Sequence, residues 1–418
     1  MNILVLYDLV EFSSRNTIIE HLKSFERYSN HKVFYFNVAF GVPEWVEDAS
    51  FELIVYHYTI CGLKWSRPET ALFSVDIRRL ARIKGYKIAI PQDEYVHNIY
   101  ACKFFKEQGI SSIFTCFFKE DYAKAYPEEL TGITHIETVL PGYLDEFALQ
   151  NWGTKVKNHS ERSIDLGYRA RKNPYWLGRL GVYKWKVAEV FKQSNDTLIK
   201  DISTLPKDVF TGDEWYKFLM RCRCVLGTES GSTLLDFDGS IRKAVNKYQK
   251  ENPNASFEQC EDSCFKGLDG NINLSTVSPR HFEAMLTRTC QVLVEGKYAD
   301  ILVPDRHYIP IKKDFSNVDE VVNKIKDVKL CETIANTCYE EIVGTAKITY
   351  RDFVNQILNA VNPKIIYQPS DENMLLLFAK YEHQPWRFNP FKYFMLKVKG
   401  FLKAKLVEFG LSKYFIRS

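Results

Sequence analysis

The sequence predicts an α/β protein made of two doubly wound halves, and three observations carry that reading. Short apolar runs such as NILVLY (2–7) alternate with stretches of helical periodicity roughly 10–15 residues long, the pattern of parallel strands crossed over by helices. A polar break at 146–161, carrying Asn151, Gly153, Asn158 and Ser160, reads as a linker between two series of the same style. The chain has 418 residues, 45% apolar and 26% charged, a composition typical of soluble globular proteins and a length suited to two or three domains. That composition excludes a disordered, collagen-like or disulfide-scaffold chain.

In the first half, 2–7 is a short buried strand. Residues 15–28 place Ile18, Ile19, Leu22 and Phe25 on one helical face. Strands follow at 32–38, in FELIVYHY ending at Tyr58, and at 87–93, 111–117 and 134–142. A helix covers 74–84 and another leads to 111. The second half opens on a strand at 162–171. It continues with a helix at 184–193, a strand at 197–203, a helix at 213–221 and a strand at 224–230 running into a Gly-rich loop. Helices at 240–251 and 280–290, a strand at 291–296 and a helix at 318–326 complete it. Ligands of such sheets bind beyond the carboxyl ends of the strands, which predicts a cleft between the halves.

Lys and Arg number 56 and Asp and Glu 52, a formal net charge of +4. That is too small to mark a nucleic-acid binder. The excess sits in the tail, where Lys392, Lys397, Lys399, Lys403, Lys405, Lys413 and Arg417 face Glu408 alone. No apolar run approaches the roughly 18–20 residues of a bilayer span. MNILVLYDLVEF lacks the charged region and cleavage site of a signal peptide, so a cytoplasmic protein is expected, with reduced thiols. Among ten cysteines, Cys222 and Cys224 form C-x-C and Cys260 and Cys264 form C-x3-C. Neither is followed by the second ligand pair of a zinc site.

Three motifs could carry chemistry. In DLGYRAR (165–171), Gly167 allows close backbone approach, and Arg169 and Arg171 supply bidentate donors suited to phosphate. Asn173, Pro174 and Gly178 precede the helix carrying Lys184, and a helix N-terminus beside basic residues is an anion site. The same arginines would suit a solvated strand end. GTESGST (227–233) exposes backbone N–H groups and hydroxyls around Ser230 and Gly231, with Glu229 as an acceptor and Asp236 and Asp238 just beyond. It lacks the closing Gly-Lys-Ser/Thr of a Walker A loop; the plainer reading is a tight turn with a cap at Ser232. In SPRHFEAM (278–285), Pro279 suits a first helical turn. Arg280, His281 and Glu283 gather there at the positive end of the dipole, which stabilises a Glu whatever it binds.

In this order, DLGYRAR, GTESGS, SPRHFEA, VEG (294–296) and HYIPIKKDFSNVDEV (307–321) resemble the C-terminal half of bacterial GT-B glycosyltransferases. The likeness is strongest to the subgroup of surface-polysaccharide gene clusters related to spore-maturation glycosyltransferases, and it covers about 160–355. It implies two Rossmann-like domains facing a cleft: an acceptor-binding domain at 1–150 and a nucleotide-sugar-binding domain at 160–361. Residues 362–418 follow as a crossing helix (Leu375–Tyr381) and a basic amphipathic tail. It further implies Glu283 on the nucleotide's ribose and Arg169 and Arg171 on the diphosphate, with Gly167, Lys184, Arg280 and His281 beside them. The loop around Glu229, Ser230 and Gly231 would face the base or ribose, and Lys312 and Lys313 are further candidates near the cleft. The chain lacks two glutamates eight apart around a Gly-Phe-Gly loop, and 231–277 is a long excursion.

Departure of a nucleoside diphosphate is stabilised by arginines and a helix N-terminus, so no obligatory metal is expected. Asp236-Phe-Asp238 is the rival, either a D-x-D metal pair or a helix start. On the acceptor side Asp8, Glu11, His57, Asp93, Glu94 and His97 all follow strands. Asp93 and Glu94, with Tyr95, form the favoured catalytic cluster, and Glu229 is a third catalytic candidate. In a retaining reaction the leaving phosphate can itself take the proton.

Beyond Pro390, a helical wheel places Phe391, Phe394, Met395, Val398, Leu402, Leu406 and Phe409 on one face. Lys392, Lys397, Lys399 and Lys403 lie off it, and Lys405 interrupts it. The tail reads as an in-plane helix at the inner face of the cytoplasmic membrane, or as a helix packed on protein. The expected function is glycosyl transfer from a nucleotide sugar to a saccharide or lipid-linked oligosaccharide acceptor in surface polysaccharide (O-antigen, capsule) synthesis, without nucleic acid. The alternatives are a non-catalytic nucleotide-sugar or carbohydrate-binding protein and a nucleotide-sugar epimerase on the same two-lobed plan.

Overall fold

The computed structural model describes residues 1–9, 16–65, 68–210, 212–344 and 348–408, with side chains to residue 399. Glu11, Phe409, Lys413 and Arg417 lie outside the described residues, as do the side chains of Leu402, Lys403, Lys405 and Leu406. The chain divides into two units. One takes the described residues of Met1–Ser14, Leu22–Val139 and Val354–Ser418, the other those of Arg15–His21 and Leu140–Phe353.

The first unit is built on six strands: β1 (Asn2–Tyr7), β2 (Lys32–Asn37), β3 (Ser50–Tyr56), β4 (Lys84–Ala89), β5 (Ser112–Thr115) and β6 (His135–Thr138). Their order is β2-β1-β3-β4-β5-β6, and every neighbouring pair is parallel. Ile3, Leu4, Val5 and Leu6 are all buried. A parallel sheet covered on both faces demands such an unbroken apolar run. The strand expected at 87–93 runs instead from Lys84 to Ala89, because Pro91 cannot donate to a ladder. The helix Glu372–His383 lies on β2. Tyr381 stacks on Phe36 at 4.2 Å and donates its hydroxyl to the carbonyls of Asn37 (3.1 Å) and Gly41 (2.6 Å).

The second unit repeats the plan. Its strands are β7 (Ile164–Arg169), β8 (Lys200–Ser203), β9 (Cys222–Gly227), the hairpin pair β10 (Ser230–Ser232) and β11 (Leu274–Thr276), then β12 (Cys290–Val294) and β13 (Ile309–Ile311). The main sheet is parallel, in the order β13-β12-β9-β7-β8. The chain adds β8 on one side of β7 and β9 on the other. The carboxyl ends of β7 and β9 therefore flank the point where strand order reverses, which is where open α/β sheets bind ligands. The core beneath joins Leu166, Leu226, Val292 and Ile309 to Val187 and Phe191 of helix Gly178–Gln193 and to Val321 and Ile334.

The excursion after β10 is a folded insert. β10 and β11 pair antiparallel and bracket helices Ser240–Glu251 and Phe257–Cys264. Phe257, Cys260 and Phe265 pack against Tyr175 and Trp185. The polar run 146–161, expected as a linker, contains a helix at Glu146–Trp152. Asp145 caps it by accepting the Phe147 N–H at 3.2 Å, and Ala148 and Trp152 join a hydrophobic cluster. The helix expected at 280–290 stops at Leu286, since Arg288 turns left-handed (φ 47°) before β12 begins.

All ten cysteines are free thiols. The structure separates the C-x-C pair: Cys222 abuts Gly167, whereas Cys224 lies in the core with Cys290 and Cys331, their Sγ atoms all within 4.8 Å of one another. Cys224 and Cys290 are register partners on adjacent strands, and Cys331 comes from the helix Val328–Cys338.

Candidate functional site

A cavity of about 370 Å³ opens at the strand-order reversal of the second unit. Its walls are the end of β7 (Tyr168–Arg171), the loop after β9 (Gly227, Thr228, Ser230), Trp215 and Tyr216 of helix Asp213–Arg221, and the start of helix Pro279–Leu286. Arg171, Lys184, Ser230, Arg280, His281 and Glu283, scattered over more than a hundred residues of sequence, all line it.

The helix start sets the chemistry. Ser278 and His281 form a capping box, with the Ser278 N–H donating to His281 Nδ1 at 2.8 Å. Burial, reinforced by the charges of Lys184 and Arg280, lowers His281 to about 3. The ring is therefore neutral at physiological pH, and because Nδ1 accepts, its proton sits on Nε2. Glu283 accepts the indole N–H of Trp215 at 2.6 Å, and the Arg280 guanidinium lies over the Trp215 ring at 5.3 Å. Arg280 also donates to the Arg169 carbonyl. Arg171 is exposed at the rim and makes no hydrogen bond or ion pair among the described residues. Four cationic side chains (Arg169, Arg171, Lys184 and Arg280) and one carboxylate thus line a pocket that also takes in the apolar Leu219, Val225 and Leu293 and Gln291, whose Nε2 has no hydrogen-bond partner among the described residues.

Several expected site residues are otherwise engaged. Arg169 touches the cavity, but its donors are taken. Nε binds the Asp208 carbonyl (3.0 Å), Nη1 the carbonyls of Tyr168 and Asp201, and Nη2 the Asp201 carboxylate (2.7 Å). Its guanidinium also lies against the paired rings of Phe210 and Phe218, at 4.8 and 4.5 Å from their centroids. Gly167 packs inward and does not line the cavity: a Cβ there would strike Cys222 and come within 2.8 Å of Phe218. Gly231 serves the hairpin, at φ +115° and pressed against the Leu274 carbonyl. The anion site expected at the start of helix Gly178–Gln193 is filled by the chain itself. Asp269 accepts the Arg179 N–H at 3.2 Å and the Thr233 hydroxyl at 2.5 Å.

Glu229 is buried and turned away from this cavity. Its Oε1 accepts the N–H groups of Lys297 (2.8 Å) and Tyr298 (2.9 Å). It lines a second cavity of about 600 Å³ with Thr233, Asp269, Asn273, Lys297 and Lys313, and Thr228 borders both. Lys312 does not line either one. Asp236 accepts the N–H groups of Gly239, Ile241 and Arg242, and Asp238 that of Ser240. The D-x-D is a helix start.

In the first unit, Glu94 is fully buried. Its carboxylate accepts from the Thr115 hydroxyl (2.6 Å), the Cys116 N–H (2.8 Å) and the Tyr126 hydroxyl. Burial raises it to about 7 against the pull of those donors and of buried Lys64. In this structure it is enclosed by the first unit and tied to Thr115, Cys116 and Tyr126. Asp93 is exposed and accepts the Tyr95 hydroxyl at 3.2 Å. His57 caps the turn Tyr58–Cys61, and His97 precedes helix Asn98–Gln108 at φ 62°. Asp8 sits at the first sheet's own strand-order reversal, its N–H donating to Thr59 Oγ1 at 3.1 Å. Burial lifts its carboxyl to about 6, opposed by Lys392. Thr228 belongs to the GTESGST motif, whereas nothing in the sequence pattern singles out Trp215, Asp269 or Gln291.

No protein-family model matches the sequence, and no curated protein does. Solved structures do match. An alpha-glucosyltransferase in complex with UDP-glucose and DNA containing an abasic site aligns at TM-score 0.50 and 11% identity, over 86% of this chain and 98% of that one. Anabaena Alr3699/HepE in complex with UDP aligns at TM-score 0.44 and 11% identity, over 87% and 100%. TarM aligns at 0.37 and 12%, over 77% and 56%. The first of these likenesses is one of fold: two parallel α/β units as in the GT-B fold.

Proposed function

We propose that the protein is a glycosyltransferase using a nucleotide-activated sugar. The observation that carries this is the convergence of Arg171, Lys184, Arg280 and Glu283 on one cavity at the strand-order reversal of a GT-B-like unit. Glu283, fixed by Trp215, accepts ribose hydroxyls. Arg280, Lys184 and Arg171 take the charge that grows on the diphosphate as the glycosidic bond breaks, and fixed cations facing developing charge are worth several kcal/mol in such sites. Neutral His281 adds a donor through Nε2. The sugar reaches toward the second cavity, where Thr228, Thr233 and Asn273 offer partners for hydroxyls. The acceptor is a lipid-linked saccharide of a bacterial surface polysaccharide. With Asp236 and Asp238 spent on helix amides, the charge is balanced by side chains and not by an obligatory metal.

The direct test is thermal stability against UDP, GDP, dTDP, ADP and CMP, with and without magnesium. A ligand at 100 times its Kd adds about 2.7 kcal/mol. One nucleotide is expected to raise the melting temperature without magnesium, and Glu283→Ala to remove most of that shift. A panel that shifts nothing, or a shift untouched by Glu283→Ala, overturns the assignment.

For the acceptor hydroxyl, Asp8 is the proposed base. A base works deprotonated, so kcat/KM for the acceptor should rise with pH through about 6 and level off above it. Asp8→Asn should lower the plateau and erase that limb. An unchanged pH profile in the variant would leave the proton to the departing phosphate.

A further inference from the structure

We propose that the helix Pro390–Glu408 docks the protein in the plane of an anionic lipid surface through the face bearing Phe391, Phe394, Met395 and Val398. The spacing i, i+3, i+4, i+7 puts these four on one side of the helix. They are left 75%, 64%, 51% and 38% exposed, and Trp386 just before the helix is 43% exposed. The opposite side is committed to the protein. Tyr393 packs on Phe40 at 5.3 Å, Lys392 reaches Asp76 at 3.4 Å, and Asn389 accepts the Lys392 N–H at 3.0 Å. The helix is thus held by one face with its most apolar side chains turned outward, an arrangement that costs free energy in water unless something apolar covers it.

Charge identifies the cover. Lys397 and Lys399 flank the apolar stripe, both exposed, and 390–399 contains no acid. Lysines bordering an apolar face match a leaflet with anionic headgroups over an acyl boundary. A protein groove would need acids placed to meet those lysines. Among the described residues no helix is long and apolar enough to cross a membrane, so the helix lies along the surface. This inference does not depend on glycosyl transfer.

The test is flotation of the full chain with vesicles of phosphatidylcholine alone or mixed with phosphatidylglycerol. Binding is expected only with phosphatidylglycerol and should weaken with salt. The double variant Phe391→Ser, Phe394→Ser should lower the partition coefficient at least about tenfold, and Lys397→Gln and Lys399→Gln about fivefold each. Because these side chains are exposed, melting temperature and nucleotide shifts should not move. Failure of the wild type to float, or equal flotation of wild type and double variant, overturns the proposal. So does a concentration-dependent dimer that the phenylalanine variant dissolves, which would assign the face to a second copy.

Discussion

Arg280→Ala is expected to cut kcat/KM for the sugar donor by roughly 100-fold, about 3 kcal/mol, with little change in stability. Arg280 is exposed at the cavity wall, lies over Trp215 and donates to the Arg169 carbonyl. Its charge faces the cavity at the helix start, where the dipole adds to the same field. Arg169→Ala should behave in the opposite way. Losing its guanidinium strips partners from the carbonyls of Tyr168, Asp201 and Asp208 and removes the cation packed against the rings of Phe210 and Phe218. A cost of about 3 kcal/mol in unfolding free energy follows. Denaturant titration and steady-state kinetics on both variants separate the roles. An Arg169→Ala protein as stable as wild type but inactive would return Arg169 to the diphosphate site.

That contrast shows what sequence can and cannot say here. The strands were legible because a sheet covered on both faces leaves an imprint in every residue, as in NILVLY and CVLG. The helix start at Pro279–Glu283 is legible because its proline and its charges are neighbours in sequence, and the structure adds the Ser278–His281 cap. Arg169 and Arg171 look alike in the sequence and differ in the structure for a non-local reason: Asp201 on the adjacent strand β8 and the rings of Phe210 and Phe218 absorb the first and miss the second. The same holds for the start of helix Gly178–Gln193. Its motif is that of an anion site, and the anion is Asp269, ninety positions away. Glu94 followed a strand as a catalytic carboxylate would, yet its partners Thr115, Cys116 and Tyr126 belong to later elements. Residue type announces what a side chain can bind, while tertiary structure decides whether the protein has already bound it.

Glu229 carries this to its largest expected consequence for stability. Tyr298, Ala299 and Asp300 are three successive non-glycine residues in the left-handed region, at φ 47°, 55° and 57°. Each such residue costs roughly 1–2 kcal/mol, so the turn persists only if its surroundings hold it. Tyr298 is fully buried and donates its hydroxyl to the Val294 carbonyl at 2.6 Å. The other hold is Glu229, whose one oxygen accepts the N–H groups on either side of the Lys297–Tyr298 junction. Its carboxylate fills the space that Gly296 leaves by lacking a Cβ. Glu229→Ala leaves both amides without a partner beside a new void, and a loss of about 3–5 kcal/mol is expected. Glu229→Gln keeps an acceptor oxygen in the same place and gives up only the charge, so most of the stability should return. Activity then decides between scaffold and chemistry. A folded Glu229→Gln enzyme with near-normal kcat assigns the residue to the turn that walls the second cavity. A folded enzyme with kcat reduced a hundredfold or more would make the Glu229 charge itself part of the reaction, and would require its carboxylate to exchange the turn amides for substrate during turnover.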